Sequence, residues 1–356
     1  SAGQIFTTLA LVVVLFKSGV NFNVSALRGT ALQGVLLATC MFLLAGAGIA
    51  FCSYWLLDLP LLAACVIGAI AASNSSAVVI PLLGKLNVAD NTRTVLFLEA
   101  NLTGVYAIVV SLALIGVLVT GAKVSAGYML FEVVKSFAIG IGFALAAGLF
   151  WMSVLNRVRR MENAVSLTFA FVLLVYGATK LLGGDGAIAT LVFGIVAGNI
   201  RVFSRLWLYK FEIKGFALNA EERVFFDEVE FIFKTLFFVY MGICMRVGAW
   251  GPVAAGLLVV LVKFLLRLPV ADFCTAKTMS RGDTAVLWAM CPNGLVSAVL
   301  AAMAAQQLPG EGGTVQDVVY AVIFFGVILS NLLSFRLQKG GLQGFVNSAF
   351  SRHISQ

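Results

Sequence analysis

Charged side chains are scarce in this sequence, at 11% of the 356 residues, whereas hydrophobic residues make up 61%. A soluble domain carries about 25% charged residues and cannot cover so much apolar surface. Histidine occurs once, at His353, and the six cysteines lie singly with no Cys-x-x-Cys pair. These absences argue against a metal site, a cofactor and redox chemistry. No catalytic triad or phosphate-binding loop is visible, so we predict a polytopic membrane protein that is not an enzyme.

Apolar stretches long enough to cross a bilayer, about 20 residues each, follow one another along the chain. We predict eleven such spans, near residues 4–23, 29–57, 61–83, 94–120, 127–155, 164–182, 186–203, 228–247, 251–276, 284–308 and 314–337. Together they form a single all-α transmembrane domain over residues 1–337. Residues 338–356 follow it as a short cytoplasmic tail.

Basic residues between the spans are distributed unequally between the two sides of the membrane. The loops of one side, with the tail, hold sixteen lysines and arginines, and the opposite loops hold only three or four. Because cytoplasmic loops are enriched in lysine and arginine, we predict a cytoplasmic C-terminus. The net charge of +8 is then mainly a topology signal, which argues against nucleic-acid binding. We expect an integral protein of a bacterial-type inner or plasma membrane.

Two predicted spans are interrupted by residues that do not suit an apolar helix. Span 61–83 contains four small polar residues in succession, and span 284–308 contains Cys291-Pro292-Asn293-Gly294. Proline removes a backbone donor, and polar groups at membrane depth need protein, water or solute partners. Asn74 and Asn293 are 219 residues apart, close to the 223-residue spacing of a second weakly repeated motif. We therefore predict two inverted repeats whose unwound helices cross near the middle of the bilayer.

The sequence resembles the cation:proton antiporter superfamily, in particular the thirteen-helix sodium/proton exchangers, along essentially its whole length. Four motifs carry the resemblance in the family's order, at residues 68–78, 98–104, 267–270 and 292–296. The resemblance implies an inverted-repeat Na⁺/H⁺ antiporter fold with two crossed, unwound helices, and a homodimer. Eleven spans rather than thirteen fit a chain that lacks the family's first two helices.

The resemblance also implies an ion site, and here the sequence departs from the family. Asn74 and Gly104 stand where the family has ion-binding aspartates, and Asn293 stands where it has an arginine. Antiport of this type requires a carboxylate for which a proton and a cation compete, and an amide cannot take that role. We expect a degenerate site of neutral groups. Its predicted members are Ser73, Asn74, Ser75, Ser76, Asn101, Thr103, Gly104 and Asn293.

Glu99 and Arg267 stand where the family keeps an ion pair beside the site. We expect them to pair within the membrane, because either charge alone would be strongly destabilising there. The alternative is that Glu99 itself titrates. Lys263 precedes Arg267 by one helical turn and either reaches toward the interface or faces the cavity, where it would favour an anion. Asp272 follows Arg267 by five residues and competes with Glu99 for it.

These departures lead to a functional prediction with two alternatives. We predict that the protein has lost ordinary Na⁺/H⁺ exchange and acts as a structural, regulatory or sensory membrane component. It could instead be an active monovalent cation/proton antiporter that uses Glu99, or a carrier of a neutral or anionic solute that uses Lys263 or Arg267. The charged, aromatic segment 201–227 is predicted to lie at the membrane interface or to dock a cytoplasmic protein partner.

Overall fold

The structure, a computed structural model, describes residues 2–22, 31–84, 86, 88–120, 126–158, 164–199, 220–245, 250–275 and 279–350. In these residues the chain forms fourteen α-helices. They are α1 (Ala2–Asn21), α2 (Ala31–Leu57), α3 (Leu61–Ala71), α4 (Ser76–Leu83), α5 (Asp90–Thr120), α6 (Ala126–Val158), α7 (Ala164–Leu181), α8 (Gly186–Gly198), α9 (Ala220–Cys244), α10 (Trp250–Thr275), α11 (Arg281–Ala289), α12 (Leu295–Gln307), α13 (Gly312–Gln338) and α14 (Gln343–Ala349). Residues 201–219, which form most of the predicted interfacial or docking segment, lie outside the described residues.

Length and composition allow five of the described helices to cross a membrane, namely α2, α5, α6, α10 and α13. Shorter apolar helical stretches occur in α1, α3, α7, α8 and α12. A helix satisfies its backbone hydrogen bonds internally, which is why apolar sequences of this kind adopt it in lipid. The helices α3 and α4 divide the predicted span 61–83, and α11 and α12 divide the predicted span 284–308.

Two helices differ from the expected positions. Helix α9 begins at Ala220, eight residues before the predicted span at 228. Its first residues include Glu221, Glu222 and Arg223, which favour helix but lie outside any apolar window, so a hydrophobicity criterion misses them. Helix α14 lies within the predicted tail.

Both interruptions of the helices have local causes. Helix α3 ends at Ala71, and the next helix begins only at Ser76, after a run of residues whose side chains compete for backbone hydrogen bonds. Helix α11 begins after Ser280, whose hydroxyl accepts a hydrogen bond from Asp283 N at 3.2 Å. It ends at Ala289, because Pro292 cannot donate to a continuing helix.

The helices form two compact units that are interleaved along the chain. The first, residues 1–26 and 120–240, contains α1, α6, α7, α8 and most of α9. In this unit the backbones of α1 and α8 touch, since a Cβ on Gly194 would lie 2.3 Å from Phe16 O. Small residues at a helix contact permit this close approach.

Aromatic rings fill the interior of the first unit. Phe16 on α1 stacks against Phe193 on α8, with ring centroids 5.8 Å apart, and meets Phe226 on α9 in a tilted contact at 4.8 Å. Lys17, next to Phe16, forms an ion pair with Asp227, next to Phe226. The aromatic contact and the ion pair together fix α1 to α9.

The second unit, residues 27–119 and 241–356, contains the two interrupted helices. Helix α2 packs on α3 and on α10, and α13 packs on α10 and α12. Helices α2 and α3 approach closely, since a Cβ on Gly68 would lie 2.4 Å from Gly46 O. Helix α10 thus contacts both α2 and α13, and its Lys263 and Arg267 are buried. A single transmembrane domain over residues 1–337 stays a prediction.

Candidate functional site

The two helix interruptions meet inside the second unit. The backbone N–H of Ser75 donates to Pro292 O at 2.8 Å. A Cβ on Gly294 would lie 2.5 Å from Ser75 Cβ, so only glycine lets the two segments lie this close. Four helix ends, those of α3, α4, α11 and α12, therefore meet at one place, together with the backbone groups that have no partner within their own helix.

Glu99 on α5 and Arg267 on α10 form a bidentate ion pair beside this crossing. Both side chains are fully buried. Arg267 Nη2 lies 2.7 Å from Glu99 Oε2, and Nη1 contacts Oε1. The guanidinium also donates to Leu287 O at 3.0 Å and to Met290 O at 3.3 Å. These carbonyls belong to the C-terminal end of α11, where the helix dipole favours a cation.

Asn74, in the first interruption, connects that segment to α5. Its Nδ2 donates to Glu99 Oε1 at 2.9 Å, and its backbone N–H donates to Thr103 Oγ1 at 3.1 Å. The other amide atom, Asn74 Oδ1, is buried and has no hydrogen-bond partner among the residues that the structure describes. Buried polar atoms are nearly always paired. A free amide oxygen next to a buried carboxylate therefore offers a place to a positively charged ligand.

Lys263 and Asn293 hold the end of α3 from the opposite side. Lys263 is buried, and its Nζ donates to Ser73 O and to Asn293 Oδ1, both at 2.8 Å. Asn293 Nδ2 donates to Ser73 O at 2.8 Å and to Ala71 O at 3.0 Å. Lys263 is thus placed at the crossing, and its ammonium contacts two neutral oxygens there.

The other predicted site residues are less involved in the crossing. Asn101 Nδ2 donates to Phe97 O of its own helix at 2.8 Å. Gly104 is buried, and a Cβ there would meet no atom within 4 Å. Ser76 begins α4 and is half-buried, as is Asp272 on α10. Their roles in a site stay predictions.

Ser297 is a buried participant that the sequence reasoning missed. Its hydroxyl lies 3.0 Å from Ser73 Oγ and 3.2 Å from Asn293 Nδ2. It lies in the first turn of α12, four residues after Asn293, which belongs to the interruption before that helix. Its closeness to Pro292-Asn293-Gly294 was the signal available in the sequence.

The chemistry at the crossing is that of oxygen atoms around one carboxylate. Among the described residues, no three His, Cys, Asp or Glu side chains are grouped to hold a metal ion. Divalent ions usually take several oxygen ligands with more than one carboxylate. One carboxylate with amide, hydroxyl and backbone oxygens suits a proton or a single monovalent cation.

An all-helical membrane bundle with two interrupted helices that meet at a buried ion pair defines a transporter-type fold. A family model described as "Sodium/hydrogen exchanger, transmembrane" matches residues 1–339, and the chain therefore belongs to that family. It is an integral membrane protein, as predicted. The family assignment from sequence motifs is confirmed.

The relatives in this family are distant. The chain is 27% identical over 201 residues to the K(+)/H(+) antiporter NhaP2 of Shewanella sp. (strain MR-4), covering 56% of this chain and 35% of that protein. It is 24% identical over 213 residues to the K(+)/H(+) antiporter NhaP of Alkalimonas amylolytica, covering 57% and 36%. These matches thus span about a third of each relative's length.

A solved structure supports the fold. The sodium proton antiporter MjNhaP1 from Methanocaldococcus jannaschii is similar with a TM-score of 0.70 at 19% identity, covering 96% of this chain and 84% of that one. At this identity the likeness shows the fold alone. It confirms the predicted all-α antiporter fold.

The prediction that the chain has lost exchange and serves a structural, regulatory or sensory role is wrong. The similar proteins found are named antiporters. The prediction relied on the neutral residues at positions 74, 104 and 293. Their neutrality does not empty the site of ionisable groups, because the buried Glu99 carboxylate remains beside a free amide oxygen.

Proposed function

We propose that the protein is an active monovalent cation/proton antiporter in which Glu99 is the carboxylate that proton and cation occupy in turn. The observation that carries the proposal is the buried Glu99 next to the unpartnered Asn74 Oδ1. Among the residues that the structure describes, Glu99 is the one carboxylate that is fully buried. Intramembrane ionisable residues mark ion pathways and proton relays.

The geometry supports exchange by competition at one carboxylate. A cation that enters beside Glu99 gains a carboxylate oxygen and the free oxygen of Asn74, which together replace part of its hydration shell. A proton on Glu99 removes the charge that attracts that cation. Arg267 can loosen its hold on Glu99 without losing all partners, because it also donates to Leu287 O and Met290 O. The site holds one occupant at a time. If it faces each side of the membrane in turn, it carries the proton and the cation in opposite directions.

The cation class follows from the named relatives. Two of them are K⁺/H⁺ antiporters and the similar solved structure is a sodium proton antiporter. Both ions are monovalent and take oxygen ligands, and the arrangement at Glu99 contains nothing that would require a divalent ion. We therefore infer that K⁺ or Na⁺ is the substrate, and both ions belong in the test.

Reconstituted vesicles with an internal pH-sensitive dye test the proposal. An inward K⁺ or Na⁺ gradient should drive proton efflux with wild-type protein, and Glu99→Gln should abolish it. The matched control is Glu228→Gln, which removes an exposed glutamate of α9 and should exchange normally. Wild-type vesicles that respond to neither ion would overturn the proposal.

A second variant guards against misfolding. Glu99→Gln alone leaves the Arg267 charge buried without its partner, which costs about 3–5 kcal/mol. The double variant Glu99→Gln/Arg267→Gln removes both charges and should recover most of the melting temperature while remaining inactive. Exchange by this folded double variant would show that the carboxylate is not the coupling group.

We also propose a cytoplasmic C-terminus, a homodimer and an internal inverted repeat. Sixteen basic residues against three or four support the orientation, and resemblance to the exchanger family supports the dimer and the repeat. A fluorescent protein fused after Gln356 should fluoresce if that end is cytoplasmic. Cross-linking in the membrane should yield a band of twice the monomer mass; a monomer at every cross-linker concentration would count against the dimer.

A further inference from the structure

The buried charges at the crossing do not balance. Arg267 is matched by Glu99, but Lys263, one turn earlier on α10, donates to two neutral oxygens. No other fully buried carboxylate occurs in the described residues. With Lys263 protonated and Glu99 ionised, the cluster of Lys263, Arg267 and Glu99 therefore carries one excess positive charge.

The fold supplies a reason why this charge is tolerated. Ala71 O belongs to the C-terminal end of α3, which carries partial negative charge, and Ser73 O lies two residues beyond it in the interruption. Lys263 Nζ lies 2.8 Å from Ser73 O, and Asn293 Nδ2 binds both carbonyls. Helix α10 thus places one cation on the end of α11 and another on the first interruption, just past the end of α3. Neither contact gives Lys263 a full counter-charge.

We propose that Lys263 sets the affinity of the site for its cation by electrostatic repulsion, which keeps binding weak enough for release. This inference rests on the proposed antiport. Lys263 binds the carbonyl of Ser73, and the next residue, Asn74, binds Glu99, so the ammonium lies one residue along the backbone from the proposed cation ligands. Ion transport needs binding that permits entry but also exit. A fixed positive charge near the bound cation is expected to weaken cation binding by about tenfold.

Three substitutions separate charge from hydrogen bonding. Lys263→Gln removes the charge but keeps an amide that can donate to Ser73 O and Asn293 Oδ1. Lys263→Arg keeps the charge, and Lys263→Met removes both charge and donors. An exposed lysine changed in the same way, Lys339→Gln, serves as the control for a general loss of positive charge.

The measurement is cation-dependent exchange in vesicles at constant pH, with KM and kcat determined for K⁺ and for Na⁺. Lys263→Gln should lower KM by about tenfold and lower kcat, because the cation leaves more slowly. Lys263→Arg should stay within about twofold of the wild-type KM, as should Lys339→Gln. A merely structural role would reduce active protein, and hence kcat, without lowering KM.

Cation binding can also be measured without transport, from the thermal stability of the purified protein. Purified wild-type and Lys263→Gln protein are heated in increasing K⁺ or Na⁺, and the cation concentration that gives half of the stabilisation is compared. A lower midpoint in Lys263→Gln supports the inference even if Lys263→Met fails to fold. An unchanged KM and an unchanged midpoint in Lys263→Gln overturn it while leaving the proposed antiport intact. Neither exchange nor cation-dependent stabilisation in the wild type would reject both.

Discussion

Two core glycines have opposite surroundings, although both lie close to the crossing. Gly104 is buried with no atom within 4 Å of a would-be Cβ, whereas Gly294 faces Ser75 at 2.5 Å. An added methyl group should therefore have opposite effects at the two positions. The comparison tests the crossing itself, independent of any transport measurement.

Gly104→Ala should stabilise the protein. Glycine within a helix costs about 0.5–1 kcal/mol relative to alanine, and the structure offers room for the methyl group on α5. The apparent melting temperature in detergent should rise slightly. A fall of several degrees would mean that this part of α5 is packed more tightly than the structure shows.

Gly294→Ala should destabilise the protein by about 1–3 kcal/mol, because overpacking moves backbone segments apart. Ser75 Oγ, which is nearest, can rotate away from the new methyl group, but Ser75 Cβ, 2.5 Å away, moves only with the backbone. Changing Ser75 to glycine in the same chain should recover part of the melting temperature. Without such recovery, the close approach of the two segments would be in doubt.

Asn74→Ala should raise the KM for the cation several-fold with a smaller change in kcat. The substitution removes the free Oδ1 and also the Nδ2 bond to Glu99. The control is Asn331→Ala, whose amide binds only the Val327 carbonyl of its own helix among its described contacts. Equal KM values for Asn74→Ala and wild type would exclude Asn74 as a cation ligand.

At the scale of single residues, motif order indicated Glu99 and Arg267, whereas spacing along a helix did not indicate which way a side chain points; the roles of the predicted site residues stay predictions. Sequence reasoning brought Glu99 and Arg267 together through family resemblance, and the structure places them in contact. It left Lys263 open between interface and cavity, because spacing along α10 does not tell which neighbours cover a side chain. Ser297 was missed because a serine among alanines carries no compositional signal.

At the scale of helices, the contact between α1 and α8 depends on glycine. Gly194→Ala should lower the melting temperature, since the new Cβ would lie 2.3 Å from Phe16 O and force the backbones apart. Gly142→Ala, at an exposed position of α6, is the matched control, because a Cβ there meets nothing within 4 Å. If both variants melt like wild type, the α1–α8 backbone contact is looser than described.

The ends of a helix were predictable where they coincide with the ends of an apolar stretch. The two interruptions followed from small polar residues and from Pro292, since each disturbs backbone pairing in lipid. The start of α9 at Ala220 was not predictable in this way. Charged helix formers extend a helix beyond the apolar core, and an apolar-window criterion stops at that boundary.

For the molecule as a whole, the described part of the predicted tail, residues 338–350, packs within the second unit. Helix α14 packs on α11, and Phe350 at its end is fully buried. Phe350→Ala should therefore destabilise the protein by about 3–5 kcal/mol. Lys339→Ala, an exposed position just after α13, should have little effect on the melting temperature. An unaltered melting temperature for Phe350→Ala would mean that the tail contributes nothing to the fold.

The whole-molecule architecture was recognisable because composition, interrupted spans and motif order agree with one family. The interleaving of two units was not, since it depends on contacts between stretches far apart in sequence. The functional prediction was wrong for a related reason: three neutral positions were counted singly, and the groups that surround the buried Glu99 were not considered as a set.

Interleaving has a consequence for how the protein is made. The carbonyl of Ser73 is bound by Asn293, 220 residues later in the chain. At ribosomal rates of about 5–20 residues per second, the broken end of α3 waits on the order of 10–40 seconds in the bilayer for that partner. The contact between the two interruptions can therefore form only late in synthesis, and slower translation between these positions lengthens the time for which the first interruption lacks its partner.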